Sequence, residues 1–248
     1  MELSDFFSVN QEVAIAFSGG ADSAYLLYAA SKWARRVKAY YVSSAFQPEF
    51  EMRDAMRLAS ELQADIEVIR LDILSDSAVT SNPPDRCYHC KRKIFTSIME
   101  HAAGDGFSVI LDGTNASDDA SDRPGMRALS ELRVLSPLRL CGLTKSEIRR
   151  LSKEAGLFTH DKCAYACLAT RIPTGTVITG ENLSATERAE DFLFSLGFSD
   201  FRVRMTQTGA KLQVREEQLL KVIEHRAEIV KELSEYYDTV LLDLEVRK

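Results

Sequence analysis

The sequence predicts an α/β protein: an open parallel sheet with helices on both faces, followed by a smaller C-terminal α+β domain. Three observations predict it. Short apolar runs alternate with helical patterns as far as about residue 155, the mark of strands joined by crossover helices. A two-glycine turn, Gly19-Gly20, follows the first apolar run directly, where such sheets bind ligands. Beyond about residue 175 the order changes to helix, strand, strand, helix, strand.

The elements follow in order. Glu12 to Phe17 reads as a buried strand and Asp22 to Arg35 as a helix. Val37 to Val42 is strand-like, Phe50 to Gln63 helical, and Asp65 to Leu71 a third strand. Cys90 to Ala102 is helical, and Phe107 to Leu111 is a short apolar strand ended by Asp112-Gly113. Thr144 to Ala155 is a helix whose Thr144 and Glu147 have capping-box spacing. In the C-terminal part, Ser184 to Leu196 and Glu216 to Tyr236 read as helices. Phe201 to Met205, Ala210 to Val214 and Thr239 to Val246 read as strands. Pro173-Thr174-Gly175 is the expected junction, giving domains 1–175 and 176–248.

Composition excludes several classes. The 248 residues are 45% hydrophobic and 27% charged, an ordinary globular balance. The net charge is −6 and no basic tract is present, so no nucleic-acid partner is expected. No apolar run reaches the roughly 18 residues of a membrane span. The N-terminus carries acidic residues where a signal peptide carries basic ones. A cytoplasmic protein without membrane contact is expected, its five cysteines serving as thiols, metal ligands or catalysts.

The chemistry lies in a few short motifs. In Ser18-Gly19-Gly20-Ala21-Asp22-Ser23 a glycine turn opens a helix, whose first amides and dipole favour an anion. Ser18 and Ser23 add hydroxyls, so phosphate or pyrophosphate fits. The spacing matches neither G-x-x-x-x-G-K-[ST] nor G-x-G-x-x-G. A second turn, LDGTNASDD at 111–119, offers Gly113, Thr114 and Asn115 to a nucleotide and Asp118 to Mg²⁺. Cys87 and Cys90 have C-x-x-C spacing, and Cys163 and Cys167 lie close together. Such pairs chelate a metal or cluster, or act as redox or nucleophilic thiols. Cys141 stands alone and suits packing. Arg171 could lower a thiol pKa and hold an anion. Arg202 and Arg204 alternate on one strand face, as phosphate recognition wants.

The pattern S-G-G-x-D-S resembles the PP-loop of the ATP pyrophosphatases, which have the adenine nucleotide alpha-hydrolase-like fold and cleave ATP between its α- and β-phosphates. With NPPDRCYHCK, LDGTNASDD, SDRPGMRAL, SPLRLCGLTKSEIRRLSKEAGL, ACLATR and GFSDFRVR, the chain resembles the LarE family along almost its whole length. The resemblance implies an ATP-dependent sulfur transferase of nickel-pincer nucleotide cofactor synthesis. ATP and Mg²⁺ would adenylate a carboxylate of pyridinium-3,5-biscarboxylic acid mononucleotide. Cys167 would then form a thioester and leave its sulfur as a thiocarboxylate, becoming dehydroalanine. In a cysteine-rich variant of the family, three cysteines hold a [4Fe-4S] cluster that carries the sulfide. Here those would be Cys87, Cys90 and Cys167, with Cys163 as a substitute, and both sulfur sources stay open. Arg171, Glu190, Arg202 and Arg204 are the expected substrate-binding residues. Gln213 stands where the resemblance implies a glutamate, and Asp122 and Arg123 would serve nucleotide or substrate. A homo-oligomer acting on a small nucleotide is expected. The alternatives are a PP-loop tRNA thiolase with a three-cysteine cluster, an amidotransferase, and a nucleotide- or metal-binding sensor.

Overall fold

The computed structural model describes residues 1–118 and 124–247; Asp122 and Arg123 lie outside the described residues. The chain divides into two compact units, Met1–Ile73 with Asp85–Lys162, and Leu74–Pro84 with Cys163–Lys248.

The first unit runs α1 (Leu3–Val9), β1 (Glu12–Ala16), α2 (Ala21–Trp33), β2 (Arg36–Ser43), α3 (Glu49–Glu61) and β3 (Ile66–Arg70). After α4 (Ser77–Thr80), which belongs to the second unit, come α5 (Arg86–Gly104), β4 (Ile110–Leu111), α6 (Pro124–Glu131), α7 (Pro137–Leu140) and α8 (Lys145–Glu154). The four strands form a parallel sheet in the order β3-β2-β1-β4. Alternation along β1 sorts its side chains. Val13 and Ile15 enter one core with Leu26, Leu27, Leu58 and Ile148 of α2, α3 and α8. Ala14 enters another with Phe95 and Ile98 of α5 and Leu129 of α6. Successive strand residues point to opposite faces, so β1 is covered on both and reads as a continuous apolar run.

That order fixes the ligand site. The chain passes from β1 outward through β2 to β3, then returns to the other side of β1 as β4. The connections after β1 and β4 therefore diverge at the carboxyl ends of adjacent strands, which opens a crevice.

The second unit adds α9 (Gly180–Ser195), β5 (Arg202–Thr206), β6 (Gly209–Gln213), α10 (Leu219–Glu224), α11 (Arg226–Leu233) and β7 (Val240–Leu242). β6 pairs antiparallel with β5 and parallel with β7. Ala189, Leu193, Val203, Leu212, Ile229 and Leu233 build its separate core. The stretch 173–175 expected as a junction lies within this unit. There Gly175 N–H donates to the Asn82 carbonyl at 2.8 Å, and Ile178 N–H to that of Thr80 at 2.8 Å.

Several elements depart from the sequence expectations: β4 keeps only Ile110–Leu111 of the expected strand, and α9 begins at Gly180, before Ser184. The expected helix from 216 to 236 is broken: a 3-10 turn (Glu216–Gln218) precedes α10, and His225 separates α10 from α11. The helix expected from Cys90 begins at Arg86, which brings Cys87 and Cys90 onto one helical face at i, i+3. β7 is three residues long, not eight.

Candidate active site

The glycine turn after β1 is built as its sequence requires. Gly19 has φ +72°, and a Cβ there would come within 2.9 Å of the Ala55 Cβ. Only glycine meets both conditions comfortably. Gly20 caps α2, so the first amides of a 13-residue helix open at the turn. The Ser18 and Ser23 hydroxyls lie 3.0 Å apart, and Ser23 Oγ donates to the Gly20 carbonyl at 3.2 Å.

The loop after β4 closes against the same turn. At Gly113 a Cβ would stand 2.9 Å from Ser23 N and 3.1 Å from Ser23 Cα. The loop can lie on the start of α2 because this residue has no side chain. Asp112 anchors it by accepting from Thr114 Oγ1 and Ser136 Oγ, both at 2.5 Å. Asn115, buried, donates through Nδ2 to Asp22 Oδ2 at 3.2 Å. Asp118 Oδ2 accepts from Asn115 N–H at 3.0 Å. Asp22 Oδ1 is buried with no hydrogen-bond partner among the described residues. Burial pushes the Asp22 carboxyl above its usual range, and Lys145 and the Asn115 hydrogen bond offset this in part. An acceptor left unsatisfied costs about 1–3 kcal/mol, and a cation or donor arriving there would recover it.

Together these residues border a cavity of about 370 Å³. Its lining combines Ser18, Gly20, Asp22, Ser23, Gly113 and Thr114 with the ring or apolar side chains of Tyr40, Val42, Phe95 and Ile98. Asp118 also lines it, as does Lys91. An apolar lining with a few polar groups suits a nucleotide. Gly19 and Asn115 act from behind this lining. Lys162 was missed in the sequence. Its Nζ lies 3.3 Å from the Gly19 carbonyl, 2.7 Å from Asp54 and 3.3 Å from Glu51. Arg149 Nη2 donates to the Lys162 carbonyl at 2.9 Å. Lys162 and Gly19 stand 143 residues apart in the chain, so no local spacing signals their contact.

In the second unit, Cys167 precedes the 3-10 turn Leu168–Arg171. Its carbonyl accepts from Thr170 N–H at 3.0 Å and Thr170 Oγ1 at 2.8 Å. Arg171 and Glu190, expected to bind substrate, are each 1% exposed and pair with each other. Arg171 Nε and Nη2 donate to the Glu190 carboxylate at 2.8 and 3.0 Å. Glu190 also accepts from Val203 N–H at 2.9 Å and from the Tyr165 hydroxyl. Removing one partner of such a pair costs about 3–5 kcal/mol. Burial alone would lower the Arg171 pKa, but Glu190 outweighs it and leaves it raised.

Arg202 is buried too, and its Nη2 donates to the Ala164 carbonyl at 2.7 Å. Burial, then the charges of Arg171 and Arg247, bring it down to about 10. Arg204 is more open. It donates to the Thr170 carbonyl at 3.0 Å and to Gln213 Oε1 at 2.6 Å. With Lys211, Thr206 and Thr170 it lines a cavity of about 350 Å³.

The cysteines divide between the units: Cys87, Cys90 and Cys141 in the first, Cys163 and Cys167 in the second. Cys87 and Cys163 are exposed. Cys141 packs against the first core, and burial pushes its thiol up. Among the described residues, no three His, Cys, Asp or Glu side chains gather as a metal ion would need. No described helix is long and apolar enough to cross a membrane.

No protein-family model matches the chain. Among individual proteins it is similar to the pyridinium-3,5-bisthiocarboxylic acid mononucleotide synthase of Lactiplantibacillus plantarum. The two are 36% identical over 208 residues, which is 83% of this chain and 75% of that one. It is 33% identical over 224 residues to an uncharacterised protein of Synechocystis sp., across 90% of this chain and 83% of that one. A more distant likeness, 26% over 61% of this chain and 54% of its counterpart, joins it to the tRNA-specific 2-thiouridylase MnmA of Thermotoga petrophila.

Proposed function

The chain belongs to the LarE family of pyridinium-3,5-bisthiocarboxylic acid mononucleotide synthases, and from that membership we propose that it adenylates a carboxylate of pyridinium-3,5-biscarboxylic acid mononucleotide and replaces one of its oxygens with sulfur. The observation that carries the first half is the pairing of two loops at the sheet's switch point. Ser18, Gly20, Ser23, Gly113 and Thr114 line one pocket. The phosphates of ATP would lie on the turn and the first amides of α2, with adenine against the apolar side chains.

Mg²⁺ suits the same pocket. It takes one or two carboxylates and completes its shell with phosphates and water. Asp22, with a buried oxygen that lacks a partner among the described residues, and Asp118 would supply them. When bound it neutralises charge on the phosphates. The substrate carboxylate attacks the α-phosphorus, the bond to the bridging oxygen breaks, and pyrophosphate leaves. The amides and hydroxyls around Gly19 and Gly20 hold the departing oxygens.

The second half falls to Cys167. Its thiolate attacks the acyl carbon and AMP departs, leaving a thioester. Loss of the Cys167 α-proton with scission of the Cβ–S bond leaves a thiocarboxylate on the substrate and dehydroalanine in the chain. Arg204 and Lys211, beside Thr170, suit the nucleotide phosphate. A [4Fe-4S] cluster on Cys87, Cys90 and Cys167, or on Cys163, needs three thiolates together. Cys87 and Cys90 belong to one unit and Cys163 and Cys167 to the other, and the steps given above are those of Cys167 as the donor. We further propose that a domain of residues 1–175 carries ATP binding, adenylation and the sulfur of Cys167, that a domain of residues 176–248 carries substrate binding, and that the enzyme works in the cytoplasm as a homo-oligomer.

The test is an intact mass after one turnover. The chain should lose roughly 34 Da as cysteine becomes dehydroalanine, because the nucleophile itself is consumed. Cys167→Ala should release pyrophosphate without forming thiocarboxylate, while Cys87→Ala and Cys90→Ala complete one round. Repeated turnover at unchanged mass would overturn Cys167 as the sulfur source.

A further inference from the structure

Three backbone carbonyls beside Cys167 end on guanidinium groups. Arg202 Nη2 takes that of Ala164 at 2.7 Å, Arg171 Nη1 that of Ala166 at 2.9 Å, and Arg204 Nη1 that of Thr170 at 3.0 Å. Arg171 Nη1 also reaches Thr170 Oγ1 at 2.8 Å, and that hydroxyl donates to the Cys167 carbonyl. Residues 164–170 have no strand or α-helix of their own to fix their backbone. These bonds do that work.

The arginines are set in turn by Glu190 and Tyr165. The Glu190 carboxylate accepts two bonds from Arg171, one from Val203 N–H of β5 and one from the Tyr165 hydroxyl. That set fills the usual acceptor sites of a carboxylate. The Tyr165 ring stands 4.6 Å from the Arg171 guanidinium carbon and 5.1 Å from that of Arg202, within cation–π range. Tyr165 thus belongs to the segment it helps to fasten, two residues from Cys167, and its hydroxyl reaches α9. Burial and the Glu190 charge push its phenol up, which keeps it a donor.

We propose that Tyr165 is a positioning residue for Cys167: through its hydroxyl on Glu190 and the Glu190–Arg171 pair, it fixes the backbone on both sides of the thiol and so the direction from which the sulfur attacks. Arg171 and Glu190 serve this support and not the substrate directly. The inference rests on the reading of Cys167 as sulfur donor and adds a reason for the residues around it. A thiol on an unfastened loop samples many directions, and attack on an acyl carbon needs one.

Tyr165→Phe tests it, since the ring and its stacking stay and only the hydroxyl goes. Pyrophosphate release and the half-saturating substrate concentration should hold at wild-type values. Single-turnover formation of thiocarboxylate should fall by about tenfold or more, as expected when a reacting group leaves its attack geometry. Alkylation of Cys167 by iodoacetamide, read by peptide mass without ATP or substrate, should proceed with a changed rate constant. Glu190→Gln, which leaves Arg171 without its counter-charge, should lose more transfer than Tyr165→Phe. Wild-type transfer and alkylation in Tyr165→Phe would overturn the proposal, as would equal loss of pyrophosphate release and transfer, the sign of a general structural defect. Thiocarboxylate formed by Cys167→Ala would sink the sulfur-donor reading instead. The alkylation rate judges the positioning separately from it.

Discussion

Asp22 shows how one residue can cost stability and serve chemistry. Its folded pKa lies above the ordinary 3.8, chiefly through burial. The folded chain therefore holds this proton to higher pH than the unfolded chain does. Stability falls as pH rises from 3.8 through the folded value, and the ionised group is a net burden at neutral pH. Asp22→Asn keeps an oxygen for the Asn115 amide and removes the charge. Its thermal midpoint at pH 7 should equal or exceed the wild type's, the gain vanishing in acid where Asp22 is already protonated. Pyrophosphate release should fall by about a hundredfold or more, the usual loss of a group that stabilises a transition state electrostatically. A lower midpoint with activity retained would remove Asp22 from the metal site.

At the level of elements, α8 shows what a local signal can achieve. The Thr144 hydroxyl accepts from Glu147 N–H, and Glu147 Oε2 accepts from Thr144 N–H at 2.8 Å. The same helix start holds the loop after β4, proposed above to meet the nucleotide: Lys145 N–H donates to Ser117 Oγ at 3.0 Å and Ala116 N–H to the Leu143 carbonyl at 2.8 Å. Thr144→Ala should lower stability by about 1 kcal/mol, the usual worth of an N-cap. Half-saturation by ATP should rise while the saturated rate holds; both follow from a melt and a pyrophosphate assay. This capping box was legible because its two residues lie three apart, and so was the glycine turn between β1 and α2. The break at His225 was not legible, since no glycine or proline marks it and Leu219, Val222, Ile229 and Leu233 continue a helical apolar pattern. The start of α5 was read four residues late because Arg86 to His89 offers little apolar pattern. Arg171 and Glu190 were both picked from the sequence. Their pairing lies in the meeting of α9 with a distant loop, which spacing alone does not reveal.

For the whole molecule, two units with their own cores imply that ATP binding and the handling of substrate can fail separately. Gly209 has φ +151°, and a Cβ there would collide with the Thr239 carbonyl and amide, just where Ala210 N–H meets Thr239 O at 2.8 Å. Gly209→Ala should weaken the second unit by about 1–3 kcal/mol, the cost of a strained backbone position. Substrate-dependent pyrophosphate release and thiocarboxylate formation should then both be lost on warming before ATP binding is, in a temperature series of the two assays and of ATP binding. Loss of ATP binding at that same temperature would mean that the units melt as one. The division at Ile73 and Asp85 has a consequence for synthesis. Residues 74–84 leave the ribosome long before 163–248, although Asn82 Nδ2 ends on the Pro173 carbonyl at 2.8 Å and Val79 is fully buried. At about 5–20 residues per second the wait is on the order of ten seconds. Throughout that interval the nascent chain must carry an orphaned strip of its later half, so the first half cannot finish folding as a self-contained body and leave nothing exposed.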